Sequence, residues 1–326
     1  MNTATGLRKF EMEGKYLINH VNSKTKKDHI TLVCCFSRKL FIPIFFKALE
    51  QMDIPRDEVH LIVYDNTDDK QLEAELIPVV EGLKDSYLSV RLYKSYIHHK
   101  YTSDGKPDKP FSDSKTSNIW EMWKDLPNHI HTDYFFQLED DTLAPADAFM
   151  VLCRDLKQNP AAAYITGIET SRSAIPWFPC RLGVHKMRVC PCGGRNKILE
   201  RHSLDPDTKG TVPVSCSGVY CFAARTKEFF SGLKGFDPYK INPPIWALDM
   251  LFTRNMRVHG HSIYANFNVW CHHLHANGAR IIAWGKEQAV EMVDLWLPEY
   301  ENYAMGIEVC KDGKPRVTKP ADSWEL

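Results

Sequence analysis

The 326-residue sequence carries 41 Lys and Arg against 41 Asp and Glu, so its formal charge is zero and there is no electrostatic case for a nucleic-acid or membrane-surface partner. With 44% apolar and 25% charged residues it has an ordinary globular composition, long enough for one large α/β domain or two smaller ones. Apolar stretches such as "ITLVCCF" are too short to cross a bilayer, and the charged opening "MNTATGLRKFEMEGKY" lacks the apolar centre of an export signal.

Strand and helix patterns alternate along the first half. "HITLVCCFS" (29–37) is a near-continuous apolar run, as a strand covered on both faces requires. "LFIPIFFKALEQM" (40–52) predicts a helix with Pro43 in its first turn. "VHLIVYDNT" (59–67) is a second buried strand, "LEAELIPVVEGLK" (72–84) a helix and "LSVRLYKS" (88–95) a third strand. The Gly/Pro-punctuated "HKYTSDGKPDKPFSDSK" (99–115) reads as a loop. "TSNIWEMWKDL" (116–126) is a helix opened by a Thr/Ser cap, and "TDYFFQLE" (132–139) is the next strand. Such βαβ alternation predicts a parallel, doubly wound sheet with ligands at the carboxyl ends of its strands. No internal repeat or heptad is visible.

Two acidic features fall at those strand ends: Asp65, and the triplet Glu139, Asp140, Asp141. Three adjacent carboxylates repel one another unless a cation neutralises them, and oxygen ligands suit Mg²⁺ or Mn²⁺. The competing reading is an acidic turn at the N-terminus of the helix begun by "TLAPADAF" (142–149). No GxxxxGK[ST] or GxGxxG loop follows the first strand, which argues against P-loop enzymes and dinucleotide oxidoreductases.

The second half adds "VPVSCSGVYCFAARTKEFFSGLKGFDP" and then "PPIWALDMLFTRNMRVHGHSIYANFNVWCHHLH". Taken in order with the strand-end Asp and the acid motif, these segments resemble the GT-A glycosyltransferases, most closely the family-2-like inverting enzymes. The resemblance spans roughly Ile30 to His275. It implies a GT-A fold, a mostly parallel Rossmann-like sheet flanked by helices with a smaller acceptor-side subregion. It divides the chain into an N-terminal extension (1–28), a nucleotide-sugar-binding half (29–142), an acceptor-binding and catalytic half (143–310) and a tail (311–326).

Residue by residue, the resemblance implies the following roles. Asp65 hydrogen-bonds the donor's base, with an Asx-turn as its competing role. Phe36 and Ser37 lie beside the nucleotide at the end of the first strand, and Lys115 and Asn118 contact base and diphosphate, unless they merely belong to a helix N-terminus. Glu139 and Asp141 match the outer members of a D-x-D motif, with Asp141 the metal ligand, Glu139 near the ribose and Asp140 between them. Glu at the first position departs from the usual pattern. Asp249 matches the catalytic base that opens the acceptor-side helix, although Leu248 stands where relatives often carry a second acid. In "VWCHHLH", His273 or His275 completes the metal shell, and an imidazole ligand favours Mn²⁺ over Mg²⁺.

The implied activity is transfer of a sugar from a nucleoside-diphosphate sugar, expected to be a UDP-sugar, to an acceptor hydroxyl with inversion. The acceptor is a glycan, a small molecule or a hydroxymethylated DNA base of the kind that similar bacteriophage enzymes modify. Nucleotidyl transfer and non-catalytic nucleotide-sugar binding are the alternatives. Two further features stay open. "CRLGVHKMRVCPCGG" (180–194) reads as a basic loop over the site, or less naturally as a zinc site of Cys180, His185, Cys190 and Cys192, while Trp177 either stacks on a sugar or packs. The ten cysteines, including adjacent Cys34 and Cys35, read as buried free thiols of a reducing, cytoplasmic setting.

Overall fold

The structure, a computed structural model, describes residues 12–22, 28–67, 69–97, 114–169, 184–189, 198–203, 208–236, 248–274, 279–284, 287–292, 306–309 and 315–318. The first half comprises β1 (Met12–Val21), β2 (Ile30–Phe36), α1 (Ile42–Gln51), β3 (Val59–Asp65), α2 (Lys70–Gly82), β4 (Ser89–Ile97), α3 (Ser114–Asp125) and β5 (Tyr134–Glu139). Then come β6 (Thr142–Leu143), α4 (Ala148–Gln158), β7 (Ala162–Glu169), β8 (Val184–Val189), β9 (Ile198–Ser203), β10 (Thr211–Pro213), β11 (Cys216–Ser217) and β12 (Cys221–Arg225). The remainder is α5 (Thr226–Ser231), α6 (Leu248–Val258), β13 (Ser262–Leu274), β14 (Ala279–Trp284), β15 (Glu287–Met292), β16 (Gly306–Val309) and β17 (Pro315–Thr318).

The fold is mixed α/β, built on a large and mostly parallel sheet flanked by helices. Its strand order is β1-β4-β3-β2-β5-β12-β7-β13-β14-β15, with β6 and β10 added along β13. The pairs β4-β3, β3-β2, β2-β5 and β7-β13 are parallel, whereas β12 runs antiparallel between β5 and β7. Every residue of β2, β3 and β7 is buried, which is why their sequences are apolar without alternation. Fully burying each Leu, Val, Ile or Phe contributes about 1.5–3 kcal/mol, so these strands anchor the sheet.

Helices cover both faces. One apolar layer joins the sheet to Ile42, Phe45 and Leu49 of α1, Leu72, Leu76 and Val80 of α2, and Phe149, Leu152 and Leu156 of α4. The other joins it to Trp120 and Trp123 of α3, Phe229 of α5, and Phe252 and Met256 of α6. Local chemistry starts the helices: Pro43 occupies the first turn of α1, and Asp69 caps α2 by accepting from the Gln71 and Leu72 N–H groups.

Three boundaries differ from the sequence reading. β1 lies within the segment read as an extension and pairs antiparallel with β4, so that it, and not β4, forms this edge of the sheet. Helix α3 begins at Ser114, so Thr116 and Ser117 lie inside it. Helix α4 begins at Ala148 with Asp147 at its cap, so the acid triplet does not sit at a helix N-terminus.

The order β4-β3-β2-β5 has one consequence for function. Chain progression leaves β2 towards β3 and β4 on one side, then returns to its other side as β5. At such a reversal doubly wound sheets have their ligand crevice, which falls here at the carboxyl ends of β2 and β5.

Candidate functional site

That crevice brings "FSR" at the end of β2 against the acids at the end of β5. Asp140 Oδ2 accepts the Ser37 N–H at 2.8 Å, the Arg38 N–H at 2.9 Å and the Ser37 hydroxyl at 3.3 Å. Arg38 Nη1 donates to Asp140 Oδ1 at 3.2 Å and also to Asp141 Oδ2. Asp140 and Asp141 are only 3% and 1% exposed, so carboxylates this deep need a counter-charge, and Arg38 supplies one. Self-repulsion within the triplet is thus relieved by a side chain that sequence reasoning did not single out.

Asp65, at the end of β3, is wholly buried. Its Oδ1 accepts the Thr67 N–H at 2.9 Å and the Thr67 hydroxyl at 2.8 Å, the geometry of an Asx-turn. Its Oδ2 takes the ammonium of Lys94 at 2.9 Å, and Lys94, also buried, reaches Glu73 at 2.9 Å. Burial pushes the Asp65 carboxyl up, against the pull of Lys94 and Thr67. The Lys94 hydrogen bond holds Glu73 below its ordinary value. The neighbouring Asn66 donates its N–H to the Phe36 carbonyl at 3.3 Å. Its buried side-chain oxygen finds no hydrogen-bond partner among the described residues. Phe36 contributes that carbonyl, while its ring packs against Phe45 and Phe46.

Glu139 and Asp249 meet a common segment, residues 217–220, that leads into β12. The Glu139 N–H donates to the Tyr220 carbonyl at 2.9 Å, and Gln137 Nε2 donates to the Val219 carbonyl at 3.1 Å. The Tyr164 hydroxyl holds the Gly218 carbonyl at 2.6 Å, and the Thr253 hydroxyl bonds the backbone of Ser217. Asp249, in the first turn of α6, brings its carboxylate against Gly218: a Cβ there would lie 3.3 Å from Asp249 Oδ2. Burial foremost, then the charges of Glu139, Cys34 and Asp140, pushes the Cys35 thiol well up, so it stays protonated.

Beyond the triplet, β6 pairs antiparallel with β13, and Thr142 lies opposite His273 and Leu143 opposite His272. Residues facing each other in such a ladder have Cα atoms about 4.5–5.5 Å apart. Asp141 therefore adjoins, by one residue, a backbone position paired with the late histidines. Thr142 also donates to Glu169 at the end of β7, at 3.3 Å. In chemical type, a carboxylate at 141 and an imidazole at 273 suit Mn²⁺ or Mg²⁺, provided the Arg38 guanidinium gives way. Among the described residues no three His, Cys, Asp or Glu side chains are grouped to hold a metal.

The structure thus gathers Ser37, Glu139, Asp140 and Asp141, with Asp249 near Gly218 of the segment that Glu139 also meets. His275, the side chains at His273, Lys115 and Asn118, the Cys180 and Cys190–Cys192 segments and Trp177 lie outside the described residues. Arg38, Lys94 and Glu169 were not singled out from sequence, although Arg38 and Glu169 each stand at a strand's carboxyl end. The six described cysteines, Cys34, Cys35, Cys153, Cys216, Cys221 and Cys271, are buried free thiols. Among the described residues no helix is long and apolar enough to cross a membrane.

No protein-family model and no curated protein matches the chain. Solved structures with a similar arrangement include S. aureus TarS 1-349, 12% identical over 74% of this chain and 60% of that one, with a TM-score of 0.43. Another is the mannosyltransferase PcManGT from Pyrobaculum calidifontis, solved with GDP-Man and Mn²⁺: 12% identity, 76% and 57% coverage, TM-score 0.44. A third is GalNAc-T7 with UDP, GalNAc and Mn²⁺: 10% identity, 76% and 44% coverage, TM-score 0.49. This chain spans less than two thirds of the length of each of these three.

Proposed function

We propose that the protein is a glycosyltransferase that moves a sugar from a nucleoside-diphosphate sugar, with UDP as the first donor to test, to an acceptor hydroxyl. One observation carries the reading: a buried acid pair held by "FSR" at the switch point of a doubly wound sheet, with Glu139 and the Asp249 carboxylate both against the segment 217–220.

In this reading the crevice binds the nucleoside diphosphate. The unpartnered Asn66 oxygen accepts an N–H of the base, while Asp65, fixed by Lys94 and Thr67, braces the strand end from which Asn66 projects. Asp141 and the imidazole at 273 or 275 would hold a divalent ion, which supplies Lewis-acid stabilisation of the diphosphate as it leaves. Asp249 takes the proton of the acceptor hydroxyl within hydrogen-bond reach. The acceptor oxygen then bonds to the anomeric carbon, and the bond to the diphosphate breaks with its electron pair leaving on phosphate. A single displacement of this kind inverts the anomeric configuration.

The test is to incubate the protein with a panel of UDP- and GDP-sugars, with and without Mn²⁺, and to follow release of nucleoside diphosphate. Release from one donor, accelerated by a matching glycan, small-molecule or hydroxymethylated-DNA acceptor, is expected. No release and no nucleotide binding across the panel would overturn the reading.

A further inference from the structure

We propose that Arg38 is an internal counter-ion that must leave Asp141 before a divalent cation can bind there, and that the donor's diphosphate draws it away. The inference rests on the donor site proposed above. Asp140 does not depend on the guanidinium for its position, because the Ser37 and Arg38 backbone N–H groups hold its Oδ2. Asp141 Oδ2, by contrast, is the oxygen on which Arg38 Nη1 sits, and Asp141 is the acid proposed to take the cation. A guanidinium and a dication on one carboxylate oxygen repel each other strongly in a low-dielectric pocket. The Arg38 side chain is 28% exposed, with its guanidinium 5.5 Å from the Phe41 ring, so it is not sealed off from solvent as the acids are.

A diphosphate entering the crevice offers that head a better partner, because the planar guanidinium fork matches phosphate oxygens two at a time. Transfer of Arg38 from carboxylate to diphosphate uncovers Asp141 for the cation. Cation and nucleotide thereby bind cooperatively, each raising the affinity for the other by the same factor. Arg38 is on this view a positioning residue that enforces joint binding and keeps the acid pair neutralised between turnovers.

The experiment is calorimetric titration of Mn²⁺ into the wild-type protein and into Arg38→Gln, with and without UDP, alongside thermal melts of both. In the wild type, Mn²⁺ alone should bind weakly and UDP should tighten it on the order of tenfold or more. In R38Q, Mn²⁺ alone should bind more tightly than it does to the wild type without UDP, and the coupling should shrink to what direct attraction between cation and diphosphate supplies. Arg38→Lys, which keeps the charge but cannot bridge both acids, should fall between the two, and it serves if the Gln variant does not fold. Mn²⁺ affinity without UDP that is unchanged or weaker in R38Q overturns the role of Arg38 while leaving the donor site intact, provided UDP still binds. Absence of both Mn²⁺ and nucleotide binding in the wild type overturns this inference and the donor-site reading together.

Discussion

Gly218 leaves Asp249 and Tyr220 no room for a side chain: a methyl group there would stand 3.3 Å from Asp249 Oδ2 and 2.6 Å from the Tyr220 ring. The glycine is thus required by close approach, since Cα atoms bearing a side chain cannot bring the acid and the ring together so tightly. Gly218→Ala is expected to press chiefly on the Tyr220 ring and to shift the Asp249 carboxylate by a few tenths of an ångström, lowering transfer by less than the ~10²-fold that a full ångström costs. Initial rates beside a thermal melt check this: a rate unchanged by the substitution would show that the Asp249 carboxylate keeps its working position when Gly218 gains a methyl group.

Asp249→Asn keeps shape and removes basicity. Transfer should fall by about 10²–10⁴-fold with little change in melting temperature. NMR of the wild-type product should show the anomeric configuration opposite to the donor's. Retention of configuration would demand a different chemistry.

Lys94 bridges Asp65 and Glu73 inside the protein. Lys94→Met leaves the Asp65 carboxylate buried without its cation and should cost about 3–5 kcal/mol, because breaking one side of a buried pair strands the other charge. Adding Asp65→Asn should recover part of that loss. Denaturant unfolding of the single and double variants measures both numbers, and additive losses would show that the pair is not coupled.

Asp140→Ala removes the acceptor of the Ser37 and Arg38 N–H groups, each bond contributing about 0.5–1.5 kcal/mol at this partly exposed turn. Nucleotide affinity should fall with stability, since the same turn forms one wall of the crevice. Calorimetry with UDP on the folded variant tests this, and undiminished affinity would move the nucleotide elsewhere.

His60 sets an acid limit. Burial foremost, then the charges of His29, Arg91 and His131, lowers its folded pKa from 6.5 to about 4. The unfolded state therefore binds the extra proton first, so stability should decline as pH falls from about 6.5 towards 4 and level off below for this group. His60→Gln should flatten that part of the profile in melts between pH 4 and 7. An identical slope would assign the decline to other groups.

How much was legible in sequence follows from what each residue's signal depends on. Ile30–Phe36 and Val59–Asp65 were readable because a strand covered on both faces must be apolar throughout. β1 was missed because "MEGKYLINHV" is an edge strand with polar residues interspersed, whose pairing with β4 is a tertiary fact. The acid triplet announced a need for positive charge. Its provision by Arg38 was hidden, because one arginine after a strand gives no sign of the distant carboxylate it will meet. Opposition of Thr142 and His273 likewise depends on register between segments far apart in the chain. Lys94 reads as an ordinary strand lysine until its burial is seen.

The most direct test of the donor site is a crystal structure grown with UDP and Mn²⁺, with the metal located by its anomalous scattering. The expected result is a manganese peak against the Asp141 carboxylate and a strand-end imidazole, with the diphosphate beside Ser37 and the Arg38 guanidinium moved onto phosphate. A nucleotide bound away from the carboxyl ends of β2 and β5, or manganese remote from Asp141, would contradict it.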